Sequence, residues 1–180
     1  GHTSTRHRLW HTLWRERVRM FDRFGEMSSY TELNELAKNL ANEGDMVSLR
    51  LMAKENGIPE DLTEMYIAGD MEELCDPLTA ALGKLDLECE KLKPQEIMED
   101  WVEYIRTQCL ENELLARQVR KKGKNLEGCI AEILKWSFKH QIPIGKEVMK
   151  AAGVTAGRCT LGIPGAATAK RLIMSYYMGK

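Results

Sequence analysis

The stretch SSYTELNELAKNLANEGDMVSLRLMAKENGIPEDLTEMYIAG, residues 28–69, holds three helix-length segments divided by glycines. Ser28 or Ser29 can cap the first, and Ser29 stands three residues before Glu32, the spacing at which a hydroxyl cap and an acidic side chain close a helix N-terminus. Leu33, Leu36, Ala37 and Leu40 then recur at helical spacing, and Gly44 supplies the stop. Asp45 caps MVSLRLMAKEN, and Gly57 ends it. In IPEDLTEMYIAG, Pro59 suits a first turn, Glu60 and Asp61 face the positive end of the helix dipole, and Gly69 closes it.

The same grammar runs on in both directions. Asp70 reads as the cap of MEELCDPLTAAL, which Pro77 kinks or splits. KLDLECEKLK, residues 84–93, is charged and reads as a linker or as the end of a long helix. Pro94 opens PQEIMEDWVEYIRTQCL, with a stripe of Ile97, Trp101, Tyr104, Ile105 and Cys109. NELLARQVRKKG stops at Gly123, Asn125 caps LEGCIAEILKWSFKH, PIGKEVMKAA closes at Gly153, and PGAATAKRLIMSYYM finishes the chain. Leu, Glu, Lys, Ala and Met dominate, and β-branched runs are absent. The expectation is an all-α bundle of eight to ten mostly short helices with no sheet. Residues 27–83 and 94–180 form two helical units joined near 84–93. Residues 1–26 form a basic amphipathic segment, with Trp10, Leu13, Trp14, Met20, Phe21 and Phe24 at helical spacing between arginines. It reads as a helix that meets membrane, nucleic acid or a partner protein, as one docked on the body or on a neighbouring copy, or as an addition ahead of Met27, where a natural start fits.

GRCTLGIPGAATAKR, residues 157–171, raises the question of a phosphate loop. A Walker-type loop follows a buried strand and ends in Lys-Ser/Thr, whereas here no strand precedes and Ile163 and Pro164 fill those places. The glycines read as chain reversals between helices. His2, His7 and His11 lie in the N-terminal segment, and His140 is the one histidine beyond it. No His-Glu-x-x-His and no Cys-x-x-Cys occurs, so the expectation is no enzyme, no metal, no cofactor and five reduced thiols. No apolar run approaches the roughly 20 residues of a membrane span, and a cytoplasmic location is expected.

The net charge of −1 conceals strong segregation. Residues 56–100 hold thirteen acids and three lysines, a net of −10, whereas residues 101–180 hold fourteen basic and six acidic groups, a net of +8. Two candidate surfaces follow. Glu60, Asp61, Glu64, Asp70, Glu72, Glu73 and Asp76 form an acidic face able to imitate phosphates in a cationic channel. Arg117, Arg120, Lys121, Lys122 and Lys124 form a basic cluster suited to nucleic acid, which Lys135, Lys139, Lys146, Lys150, Lys170 and Arg171 extend if the helices align.

Residues 31–59, TELNELAKNLANEGDMVSLRLMAKENGIP, and residues 100–139, centred on KNLEGCIAEIL, resemble the PcfK-like family of small proteins from conjugative elements of gut Firmicutes. Some type II anti-CRISPR proteins are similar to that family. Cys159 with Tyr176 and Tyr177 matches the Cys and the Tyr-Tyr helix that close the domain in relatives. The resemblance implies a non-enzymatic interaction protein of a mobile genetic element. It implies an inhibitor that binds the RNA-guided effector nuclease as one reading, and a nucleic-acid-binding accessory protein of the conjugation apparatus as the other. Self-association into a homo-oligomer is compatible with both.

Overall fold

The computed structural model describes residues 20–179, so Trp10, Leu13, Trp14 and the three N-terminal histidines lie outside the described residues. Nine helices are present among those described. They are α1 (Tyr30–Asn42), α2 (Met46–Glu55), α3 (Glu60–Ile67), α4 (Pro77–Leu92), α5 (Ile97–Glu111), α6 (Glu113–Arg120), α7 (Leu126–Lys139), α8 (Lys146–Ala151) and α9 (Ala166–Met178). The protein is an all-α bundle.

Side-chain caps fix many of the boundaries. Ser29 Oγ accepts from Glu32 N at 3.1 Å, and the Glu32 carboxylate accepts from Ser28 N at 2.7 Å, so one open amide of the first turn of α1 and the amide just ahead of the cap are paired. Asp45, Asp76, Asn112 and Asn125 each accept from an amide three residues on. Asp76 therefore opens α4 with Pro77 in its first turn. This corrects the expected helix from Asp70: the proline begins a helix instead of splitting one, and residues 70–76 are irregular.

Two apolar clusters form the core. One joins Leu33, Ala37 and Leu40 of α1 with Leu49, Met52 and Ala53 of α2, Leu74 and Ala80. The other joins Ala81 and Leu85 of α4 with Val102 and Ile105 of α5, Leu115 and Val119 of α6, Leu126 and Ile133 of α7, and Ile173 and Tyr177 of α9. Neighbouring residues of one helix, Ala80 and Ala81, serve different clusters. Residues 84–92 are accordingly helical, not a linker, and α4 is shared by both halves. Close approach makes the sharing possible. A Cβ on Gly83 of α4 would meet the Gly57 carbonyl oxygen at 2.5 Å, and Gly57 itself holds φ +77 in the turn after α2.

After α7 the chain makes an excursion. β1 (Ile142–Pro143) pairs antiparallel with β2 (Thr160–Leu161), Ile142 opposite Leu161. This two-residue ladder departs from the expectation of no sheet. It forms because the chain leaves α7, turns through α8 and returns alongside itself, so Ile144 N finds the Cys159 carbonyl at 2.8 Å.

Candidate functional site

The acidic candidates lie on α3 and on the irregular segment before α4, and all seven are exposed. Their roles differ. Glu64 grips Arg50 through two contacts, 2.7 and 3.2 Å, and this bidentate pair holds its carboxyl below the usual range. Asp76 is occupied as the cap of α4, accepting from Thr79 N at 2.7 Å. Glu60, Asp61, Asp70, Glu72 and Glu73 form no ion pair among the described residues. Two of these five open α3, and three follow its end on the irregular segment before α4.

The basic cluster is broken up by the fold. Arg120 is 1% exposed and is no surface cation. Its Nε donates to the Met27 carbonyl at 3.0 Å, Nη1 to the carbonyls of Asn56 (2.9 Å) and Ala80 (3.1 Å), and Nη2 to the Asn56 side-chain oxygen. Burial pushes its guanidinium down to about 10, so it remains charged at neutral pH. The reason is geometric: Leu115, Ala116 and Val119 make the inward stripe of α6, and Arg120 falls one turn beyond Ala116 on that stripe. Arg117 pairs with Glu113 at 3.1 Å and lies over the Tyr30 ring. Lys124 donates to the Tyr176 carbonyl at 2.7 Å. Lys121 and Lys122 remain exposed and form no ion pair among the described residues.

Two charged side chains that the sequence does not single out hold α4 to the ends of α6 and α7. Lys84 and Glu88 sit one turn apart on α4. The buried Lys84 ammonium donates to the carbonyls of Lys121 (2.9 Å) and Lys124 (2.6 Å) beyond the C-terminus of α6, and pairs with Glu26 at 2.7 Å. Glu88 accepts from Leu126 N at the N-terminus of α7. A cation thus meets a helix C-terminus and an anion a helix N-terminus, both matched to the dipoles. Desolvation pushes the Glu88 carboxyl up to about 7.

A Cβ on Gly162 would meet the Ser137 carbonyl oxygen at 2.8 Å, so this glycine lets the loop pack against the end of α7. His140 stacks on Trp136 with ring centroids 4.3 Å apart. Among the described residues no group of three His, Cys, Asp or Glu is placed to hold a metal ion, and no helix is long and apolar enough to cross a membrane. The cysteines are unpaired, and burial raises the thiols of Cys75, Cys109 and Cys129 to about 12, 11 and 12. Compared with protein-family models, curated proteins and solved structures, the chain gives no match.

Proposed function

We propose that this chain is a non-catalytic interaction protein whose acidic face enters a cationic groove of a protein partner. The supporting observation is the contrast between the two charged clusters. Five exposed carboxylates, Glu60, Asp61, Asp70, Glu72 and Glu73, are free of ion pairs among the described residues, while the basic cluster loses Arg120 to the interior and Lys124 to Tyr176. Carboxylates held beside helix ends suit a channel built to bind phosphates. The resemblance to PcfK-like proteins makes an RNA-guided type II effector nuclease of a bacterium that hosts mobile elements the partner to test first.

The test is a cleavage assay with purified nuclease and guide, titrated with this protein. The parent chain is expected to inhibit. A variant carrying Lys at positions 60, 61, 70, 72 and 73 is expected to lose inhibition while keeping the parent's circular dichroism and thermal midpoint. Equal inhibition by both proteins overturns the acidic-face reading. The nucleic-acid reading rests on the exposed Lys121 and Lys122 with Lys170 and Arg171. It predicts salt-sensitive binding to nonspecific DNA that Lys121→Glu with Lys122→Glu weakens, each lost phosphate contact lowering the salt slope by about one unit.

A further inference from the structure

The excursion after α7 carries a second surface, independent of the acidic face. Gln141 fastens it: Nε2 donates to the Ser137 carbonyl at 2.7 Å, and Oε1 accepts from Thr160 Oγ1 at 2.7 Å. The last turns of α7 and the β1–β2 ladder are thereby one piece. Large apolar side chains stand out from it. Phe138 is 75% exposed, Ile163 62% and Ile142 58%, with Leu134 and Leu161 close behind. Leu134 and Phe138 share one face of α7, and Ile142 lies directly across the ladder from Leu161. Single exposed hydrophobes are ordinary, whereas five on one fastened element are a concentration of apolar surface of the kind that interaction sites use. Exposed Lys139, Lys146, Lys150 and Arg158 surround it in sequence, and residues 132–163 carry five basic groups against two acids.

The chemistry of the patch selects its occupant. Four of the five apolar side chains are aliphatic, whereas sequence-tolerant binding of single-stranded nucleic acid relies on stacking against aromatic rings. Trp136 is already stacked on His140. A symmetric pair of copies meeting through this face would bring a surface of five basic and two acidic groups against its own like charge. The chain's own acidic stretch, residues 60–76, exposes only Met65 among its large hydrophobes, so it offers little apolar area in return. We propose that the end of α7 and the β1–β2 ladder dock an acidic amphipathic segment of a protein partner, apolar side inward and carboxylates on the lysine rim.

The probe is a fluorescent peptide of about 18 residues, long enough to form a helix, with Leu and Phe on one face and Glu on the other. A second peptide carries Lys in place of each Glu. Anisotropy is expected to show binding of the Glu peptide that weakens with added salt, and no comparable binding of the Lys peptide. Phe138→Ser with Ile163→Ser is expected to weaken it about tenfold, the scale of one large apolar side chain losing its burial. Lys139→Glu with Lys146→Glu is expected to weaken it several-fold, and Lys121→Glu, elsewhere on the surface, to leave it unchanged. Unaltered thermal midpoints establish that the variants fold. The proposal is overturned if the two peptides bind equally, if the Glu peptide fails to bind, or if the patch variants leave its affinity intact. It is also overturned if labelled oligo-dT binds and loses affinity with Phe138→Ser, or if sedimentation shows a dimer that this substitution dissolves.

Discussion

Replacing Arg120 by Met keeps most of the side-chain volume and removes the guanidinium, so it tests whether the cation at the junction of the two cores is structural. Four acceptors each lose one donor at once: the carbonyls of Met27, Asn56 and Ala80, and the Asn56 side-chain oxygen, of which the last also accepts from Met27 N and the Ala80 carbonyl lies within α4. They belong to the turn before α1, the end of α2, and α4, so one side chain ties three segments to α6. Each buried group left unpaired costs about 1–3 kcal/mol, and the terms are not additive. Breaking a buried charged network by deleting one partner costs roughly 3–5 kcal/mol, and we take that as the expected loss. For a domain stable by about 5–15 kcal/mol this is a large share. With a urea slope near 2 kcal/mol/M, the unfolding midpoint falls by roughly 2 M. Arg120→Lys keeps the charge but not the planar fork, and is expected to recover less than half of the loss. Lys122→Met, on the exposed turn beside it, is expected to stay within about 0.5 kcal/mol of the parent. A loss below about 1 kcal/mol for Arg120→Met would refute the assignment and return Arg120 to the surface cluster.

Glu88 gives a pH signature. Its folded carboxyl is raised to about 7, above the 4.5 of an ordinary glutamate, so the folded state binds the proton more tightly than the unfolded one. Stability from this group is therefore full below about pH 4.5 and declines as pH rises toward 7, by an amount on the order of 3 kcal/mol at most. Glu88→Gln retains an acceptor for Leu126 N and is expected to flatten that slope in urea titrations across the same window. Gly83→Ala should gain about 1 kcal/mol from helix propensity, yet a net loss of about 1–3 kcal/mol is expected, because the new Cβ meets the Gly57 backbone; a stabilised variant in thermal melts would refute the close approach. Brief alkylation of the native protein is expected to mark Cys159 ahead of Cys75, Cys109 and Cys129, whose burial disfavours the thiolate; mass mapping that finds all four modified equally would refute the core placement.

Helix boundaries were legible because they are set by neighbours in sequence. Ser29, Asp45 and Asn125 cap as their spacing suggests, and the stops at Gly44, Gly57, Gly69 and Gly123 hold positive φ. The start of α4 was misread because two local signals compete: Asp70 and Asp76 are equally good caps, and only Pro77 in the first turn distinguishes the second. The acidic face was legible as composition, but not its internal division. Nothing near Glu64 in sequence announces Arg50, fourteen residues away on α2.

The charges at 84, 88 and 120 misled for one physical reason, and that reason argues for how the fold works. On an apolar stripe a charged residue is ordinarily discounted as solvent-facing, since burying it alone is costly. Here the cost is offset by hydrogen bonds to backbone groups, most of them at or beyond helix ends. Lys84 meets carbonyls beyond the end of α6, Glu88 meets the first amide of α7, and Arg120 meets carbonyls of three other segments. A signal was present all the same. Ala81, Leu85 and Glu88 keep one helical spacing, and so do Ala116 and Arg120. Where a charge occupies the position a stripe demands, and helix ends without partners must be packed nearby, the charge belongs inside. The consequence reaches function. Arg120 leaves the count of surface cations, so Lys121 and Lys122 are the members of that cluster that stay exposed without an ion pair among the described residues.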